Sequence, residues 1–131
     1  MMVLLGMNMS GKPKILFIDD EVDLLSLVSL LFAEEALAID TSSTFAEALI
    51  KIRNGSYDLI ITDARMPHGS GREILSIAKL EKINCGKFIL LTGDHDAKIE
   101  NEKAHDKFDL ILYKPLSIEL LVDHAKKLLK I

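Results

Sequence analysis

The chain has 131 residues and a formal net charge of −4, with 49% hydrophobic and 27% charged residues. This length and composition are typical of one soluble globular domain and exclude a disordered polypeptide. The sequence contains no cluster of Lys and Arg that would bind nucleic acid irrespective of its sequence, and no apolar run that would span a membrane. A single cysteine, Cys85, excludes an internal disulfide, so we expect a cytoplasmic protein.

The first thirteen residues differ in character from the rest. They open with an apolar run, Met1 to Met7, but lack the basic segment of a signal peptide. We interpret residues 1–13 as a flexible N-terminal leader and place the folded domain at residues 14–131. The alternative is a short apolar arm that packs on the surface of the domain.

After Pro13, short apolar runs alternate with longer segments of helical period, which predicts an α/β fold with a parallel sheet and crossover helices. The predicted strands are Lys14–Ile18, Leu37–Thr41, Asp58–Thr62, Lys87–Leu91 and Asp109–Tyr113. The predicted helices are Val22–Glu35, Thr44–Arg53, Ser70–Lys82, Asp94–Lys107 and Ser117–Leu129. We therefore expect five β-α units.

The ends and anchors of the helices differ in strength. Ser43 or Thr44 can cap the second helix, and Ser117 can cap the last one. The fourth helix has few apolar residues to hold it against the sheet, so we expect it to be short or mobile.

The first helix has two apolar stripes. One stripe predicts the buried face and consists of Leu24, Leu27, Val28 and Leu31; the other lies toward solvent and consists of Val22, Leu25 and Leu30.

Polar residues close four of the predicted strands. They are Asp19 and Asp20 after the first strand, Asp63 after the third, Thr92 after the fourth and Lys114 after the fifth. Ligands of open α/β sheets bind at the carboxyl ends of the strands, so we expect these side chains to converge. Three neighbouring carboxylates repel one another unless a cation lies among them, and oxygen ligands favour Mg²⁺. A carboxylate beside such an ion, with a lysine opposite, can attack phosphorus.

The motifs at these positions resemble those of response-regulator receiver domains of two-component signalling, in particular the single-domain chemotaxis regulators. The segment Ile15 to Glu21 is similar to the family's acidic pair, and Ile60 to Pro67 with Gly71 is similar to its phosphoacceptor strand and loop. Leu90 to Gly93 matches the switch hydroxyl, and Lys114 to Leu116 matches the lysine and its proline. The resemblance covers Lys14 to Ile131.

This resemblance implies a flavodoxin-like sheet with strand order 2-1-3-4-5 and a phosphoacceptor at Asp63. It also implies Mg²⁺ held by Asp19, Asp20, Asp63 and the backbone carbonyl of Arg65. Thr92 and Lys114 would bind phosphoryl oxygens, Gly93 would keep the approach open, and the Lys114–Pro115 bond would be cis. The implied donor is a sensor histidine kinase or a phosphotransfer protein. Such a domain catalyses only its own phosphorylation and dephosphorylation, so we do not expect a turnover enzyme.

Other predictions concern residues around the site. Arg65 and Asp94 lie two positions after Asp63 and Thr92, so we expect both to flank the phosphoryl group, where they could pair across it. The family has an aromatic residue three positions before the lysine, where this chain has Ile111. Tyr113 should point to the same side of the strand as Ile111. We therefore predict that Thr92 moves toward the phosphoryl group and that Tyr113, with the weakly anchored fourth helix, carries the conformational change. The family docks its phosphodonor on the first helix, which implies contacts from Val22, Leu25 and Leu30.

Two other functions compete with this interpretation. A pseudo-receiver, which interacts without phosphorylation, would not need the full set of Asp63, Thr92 and Lys114. An aspartate-nucleophile phosphatase of the haloacid dehalogenase type needs a second Asp two positions after its nucleophile, and Glu21 follows Asp19 at that spacing. The sequence names neither the kinase nor the downstream protein target, and it leaves the oligomeric state open.

Overall fold

A computed structural model describes residues 11–131, which form seven strands and five helices. The strands are β1 (Lys14–Ile18), β2 (Ala38–Ser42), β3 (Leu59–Asp63), β4 (Arg65–Met66), β5 (Gly69–Ser70), β6 (Lys87–Thr92) and β7 (Leu110–Tyr113). The helices are α1 (Val22–Glu34), α2 (Phe45–Asn54), α3 (Gly71–Leu80), α4 (Ala97–Lys103) and α5 (Ile118–Leu129). Most of the predicted leader, residues 1–10, lies outside the described residues.

Five parallel strands form the central sheet, in the order β2-β1-β3-β6-β7. This order confirms the flavodoxin-like fold, with the predicted third strand at the centre. β1 and β3 are almost continuous runs of buried apolar residues because helices cover both faces of the sheet. One core lies beneath α1 and α5, and the other lies beneath α2 and α3.

Hydroxyl side chains cap three of the helices. Thr44, Ser70 and Ser117 each accept a hydrogen bond at 3.1 Å from the backbone N–H three residues later. These bonds satisfy N–H groups that the first helical turn leaves without a partner. The predictions for Thr44 and Ser117 are confirmed, and Ser70 precedes α3 rather than beginning it.

The first helix is rotated relative to the prediction. Leu25 is buried with Val28 and Phe32, whereas Leu27 is 49% exposed. The prediction that Leu25 belongs to the solvent-facing stripe was therefore wrong. The apolar residues of α1 lie all around the helix, so their spacing did not define a single buried face. In the structure the buried face is the one that carries Phe32.

The fourth helix is short, as expected, and begins and ends inside the predicted limits. The Asn101 side chain accepts a hydrogen bond from Phe108 N at 2.9 Å and donates one to Phe108 O at 3.1 Å. Ala104 is already extended, with φ −76° and ψ 152°. The chain therefore leaves the helix early and turns toward β7.

A small hairpin follows β3 that the sequence analysis did not predict. β4 and β5 are antiparallel, with Arg65 opposite Ser70 and Met66 opposite Gly69. Strands of two residues are too short to produce a period-two pattern, so their sequence carried no signal of a strand. None of the helices in residues 11–131 has the length and apolar character that crossing a membrane requires.

Candidate functional site

The site lies where the parallel strands end. Asp63 and Thr92 are the last residues of β3 and β6, Asp19 and Asp20 follow β1, and Lys114 follows β7. Since β1, β3, β6 and β7 are consecutive neighbours in the sheet, all five residues lie on one edge. The structure therefore brings together the residues that the sequence placed at the strand ends.

Three aspartates form a compact group at this edge. Asp19, Asp20 and Asp63 each offer a carboxylate oxygen, and these oxygens lie within 4.8 Å of one another. Asp19 is buried, Asp63 is partly buried and Asp20 is exposed. Asp19 Oδ1 accepts a hydrogen bond from Glu21 N at 2.9 Å, whereas the buried Oδ2 receives none. A buried carboxylate oxygen without a hydrogen-bond donor fits a metal ligand, so the donor set suits Mg²⁺.

Burial also changes the protonation equilibrium of Asp19. Loss of hydration raises the pKa of its carboxyl, and repulsion from Asp63 adds to this effect, against the lowering by the Glu21 N–H and by Lys114. The site therefore resists holding a full negative charge at Asp19 by itself. A divalent cation would offset this cost.

Lys114 supplies the nearest positive charge. Its Nζ donates a hydrogen bond to Asp63 Oδ1 at 3.1 Å and lies 3.7 Å from Asp19 Oδ2. Partial burial lowers the pKa of Lys114, but the hydrogen bond and the attraction to Asp63, Asp19 and Glu21 outweigh it, so its pKa lies above the ordinary value. Its side chain is therefore a stable ammonium, and the Lys114–Pro115 peptide is cis as predicted.

The two oxygens of Asp63 have different surroundings. Oδ1 accepts hydrogen bonds from Ala64 N at 2.9 Å and from Lys114 Nζ. Among the residues that the structure describes, none donates a hydrogen bond to Oδ2. One oxygen is thus fixed in place, and the other is left with a free lone pair to attack an electrophile.

Thr92 and Gly93 lie beside this carboxylate. Thr92 is buried, and its hydroxyl accepts a hydrogen bond from Asp94 N at 3.0 Å. A Cβ built on Gly93 would meet no atom within 4 Å. Among the described residues, the space beside Gly93 is therefore open, and its use as the approach to Asp63 stays a prediction.

Arg65 and Asp94 line one depression of about 210 Å³ together with Thr92. Within the described part of the chain, no ion pair joins the two side chains. Asp94 Oδ1 instead accepts a hydrogen bond from Asp96 N at 3.0 Å, which builds the turn before α4. The local turn thus holds the Asp94 carboxylate, and the flanking of a phosphoryl group by Arg65 and Asp94 stays a prediction. Whether the Arg65 carbonyl binds metal stays a prediction.

Two of the predicted switch residues, Ile111 and Tyr113, lie on one side of β7. Ile111 is buried, and Tyr113 packs against the same core. Tyr113 Oη accepts a hydrogen bond from Lys98 N at 3.1 Å and donates one to His95 O at 3.4 Å. The imidazole of His95 stacks on the Tyr113 ring, with 6.4 Å between centroids. Lys98 could not be identified from the sequence because it contributes its backbone N–H, and a pattern of side chains does not reveal backbone hydrogen bonds.

A sequence model of the family described as "Response regulator receiver domain" matches residues 15–126. Transcriptional regulatory protein ResD of Bacillus subtilis is 28% identical over 124 residues, which cover 95% of this chain and 51% of that protein. The CpxR homologue of Haemophilus influenzae is 31% identical over 120 residues, 89% of this chain and 50% of that protein. The chain thus spans about half the length of these curated relatives.

Solved structures are similar over nearly the whole described chain. The receiver domain of the Francisella response regulator 1452 has a TM-score of 0.82 and 30% sequence identity. The similarity covers 91% of this chain and 98% of that one. The residues matched by the family model, 15–126, include the strand ends that carry the aspartates and the lysine.

Proposed function

Since the chain belongs to the response regulator receiver domain family of two-component signalling, we propose that it accepts a phosphoryl group on Asp63 and thereby switches protein interactions. The observation that carries this proposal is the geometry of Asp63. Lys114 Nζ lies 3.1 Å from its Oδ1, and carboxylate oxygens of Asp19, Asp20 and Asp63 lie within 4.8 Å of one another. Among residues 11–131, none donates a hydrogen bond to its Oδ2.

The proposed reaction is a transfer from phosphohistidine. Asp63 Oδ2 attacks the phosphorus, an O–P bond forms, and the P–N bond breaks with its electron pair left on the imidazole nitrogen, which takes a proton from solvent. Bound Mg²⁺ would neutralise charge on the phosphoryl oxygens. Asp19, Asp20 and Asp63, with the Arg65 carbonyl, are the residues that would hold it. Lys114 and Thr92 would orient the phosphoryl oxygens, and Gly93 leaves room for their entry.

The proposed donor is a sensor histidine kinase or a histidine phosphotransfer protein. We propose that its helical bundle docks on the solvent side of α1, where Val22 and Leu30 are 62% and 66% exposed and Leu27 is also exposed. α1 begins two residues after Asp20, so a helix placed there would present its histidine to the site. Leu25 is buried and takes no part in this surface. The proposed compartment is the cytoplasm.

The test is covalent labelling by acetyl phosphate in the presence of Mg²⁺, followed by intact-mass analysis. We expect one phosphoryl group on the parent chain and none on Asp63→Asn. Asp123→Asn, at an exposed position of α5, is the matched control and should label like the parent. Labelling of Asp63→Asn at the parent's rate would overturn the assignment.

The pseudo-receiver alternative makes a different prediction for the same chain. It requires no response to beryllofluoride, which mimics an acyl phosphate. A rise in melting temperature that needs both Mg²⁺ and beryllofluoride supports the phosphoacceptor function. A pull-down with the activated form against the unactivated form would then identify the downstream protein.

A further inference from the structure

The ring of Phe45 occupies the space where a side chain at position 69 would lie. A Cβ built on Gly69 would be 2.1 Å from Phe45 Cδ1 and 2.4 Å from Cγ. The positive-φ glycines of residues 11–131 are Gly11 and Gly86, so the backbone of Gly69 has a conformation that other residues adopt. The contact with the ring, rather than the backbone, is therefore what requires glycine here.

The helix that carries the ring is capped at its start, whereas the hairpin that the ring touches is short and reaches the core through Met66. Phe45 is the first residue of α2, where Thr44 caps the helix and Ser43 N donates a hydrogen bond to Glu47 Oε1 at 3.3 Å. The ring also packs against the core beneath α2 and α3. β4 and β5 have two residues each, and the turn between them, Pro67 and His68, is exposed. A clash at Gly69 would therefore move the hairpin and leave α2 in place.

The hairpin is connected directly to the phosphoacceptor. Gly71 N donates a hydrogen bond to Ala64 O at 3.1 Å, and Ala64 N donates one to Asp63 Oδ1. Arg65, whose carbonyl is a proposed metal ligand, pairs with Ser70 next to Gly69. A shift of β5 would therefore reach the Asp63 carboxylate through the two hydrogen bonds of Ala64, and the Arg65 carbonyl through the pairing of β4 with β5.

We infer that Phe45 is a positioning residue, which holds the β4–β5 hairpin through its contact with Gly69 and so sets the position of the Asp63 and Arg65 metal ligands. This inference rests on the proposed function, because the ligands are those of the proposed Mg²⁺ site. Phe45 does not touch the phosphoryl group or the ion. Its effect passes through Gly69 and the backbone of the hairpin.

The test is a double-mutant cycle with Gly69→Ala, Phe45→Ala and the combined variant, read out as Mg²⁺ affinity by calorimetry. We expect Gly69→Ala to weaken Mg²⁺ binding by about 10-fold, equivalent to about 1.4 kcal/mol. Phe45→Ala should itself weaken Mg²⁺ binding, because the hairpin then loses the ring that positions it. The combined variant should bind Mg²⁺ as Phe45→Ala does, because removing the ring makes room for the new methyl group. Phe45→Leu should retain most of the parent's affinity.

A variant of the same helix and a second measurement separate positioning from folding. Ile50→Ala changes an exposed residue of α2 that lies outside the hairpin, and it should leave Mg²⁺ affinity unchanged. Urea unfolding without Mg²⁺ measures how much Gly69→Ala lowers the free energy of unfolding. We expect this decrease to be smaller than the decrease in the free energy of Mg²⁺ binding that calorimetry measures for the same variant.

Three results would overturn the inference while leaving the proposed function intact, provided that the parent still labels on Asp63. They are parent-like Mg²⁺ affinity in Gly69→Ala, parent-like Mg²⁺ affinity in Phe45→Ala, and purely additive effects of the two substitutions on Mg²⁺ affinity. A parent chain that neither binds Mg²⁺ nor labels on Asp63 would overturn the proposed function, and with it the role of Phe45 at a metal site.

Discussion

Tyr113 Oη accepts a hydrogen bond at 3.1 Å from the backbone N–H of Lys98, so the residue before Lys114 is bound to the first turn of α4. Ala97 is the buried residue of this helix. At the other end, Asn101 bonds to both backbone groups of Phe108, and Arg72 donates hydrogen bonds to Asn101 Oδ1 and Asp106 O. Side-chain hydrogen bonds thus hold α4 more than apolar packing does.

The first prediction concerns transmission of the signal through Tyr113. Tyr113→Ala should still accept phosphate, because Asp63 and Lys114 are unchanged, but it should lose the phosphorylation-dependent chemical-shift changes at residues 94–107. Tyr113→Phe keeps the ring and removes only the hydroxyl, whose net contribution is about 0.5 to 1.5 kcal/mol. It should therefore show an intermediate response. Two-dimensional NMR with and without beryllofluoride measures both.

Ile111→Ala is the matched control on the same side of β7. Ile111 is β-branched, stiff about χ1 and carries no group that could bond to α4, so we expect its variant to keep the shift changes. If the changes survive in Tyr113→Ala and vanish in Ile111→Ala, the signal passes through Ile111 instead.

The sheet and its site were predictable because each strand is a short apolar run that ends abruptly at a polar or charged residue. Buried runs such as Ile15 to Ile18 end at a charged residue, and parallel strands bring such ends together without any knowledge of distant contacts. The orientation of α1 was not predicted, since apolar residues surround that helix and its buried face is defined by Leu25, Val28 and Phe32 together. The contact of Phe45 with Gly69 was also missed. A glycine has no side chain, so the sequence gives no sign of which residue packs against it.

A second prediction separates two neighbouring acids at the metal site. Asp20→Ala should weaken Mg²⁺ binding by about 10-fold or more, equivalent to at least about 1.4 kcal/mol, because its carboxylate belongs to the three-aspartate group. Glu21 precedes α1 and its side chain makes no capping hydrogen bond. Glu21→Ala should therefore change the affinity less. Equal losses in parallel calorimetric titrations would contradict this assignment.

The third prediction concerns the lifetime of the acyl phosphate. Arg65 is exposed at the depression beside Thr92, where its side chain can hinder an attacking water. Arg65→Ala should therefore speed dephosphorylation by about threefold, which corresponds to about 0.6 kcal/mol of the barrier. Arg53→Ala, at an exposed arginine paired with Glu81, is the control and should not change the rate. A slower or unchanged rate of dephosphorylation in Arg65→Ala would show that the Arg65 side chain does not hinder the attacking water.

The last prediction is the pH dependence of stability at Asp19. Burial, followed by repulsion from Asp63, raises the pKa of Asp19 above its ordinary value of 3.8. The folded chain therefore binds the proton more tightly than the unfolded chain does. The stability that comes with protonated Asp19 is fully present below pH 3.8 and is lost as the pH rises through the folded-state pKa.

Asp19→Asn removes this loss and still accepts the hydrogen bond from Glu21 N through its Oδ1. In buffer containing a chelator, we expect it to have a higher free energy of unfolding than the parent at pH 7, with the difference shrinking toward pH 3.8. With Mg²⁺ at 100 times its dissociation constant the parent should gain about 2.7 kcal/mol, whereas Asp19→Asn should gain much less. Urea unfolding at both pH values, with Asp123→Asn as the control, measures these differences. A less stable Asp19→Asn at pH 7 without metal would mean that the attraction between Asp19 and Lys114 outweighs the cost of burial.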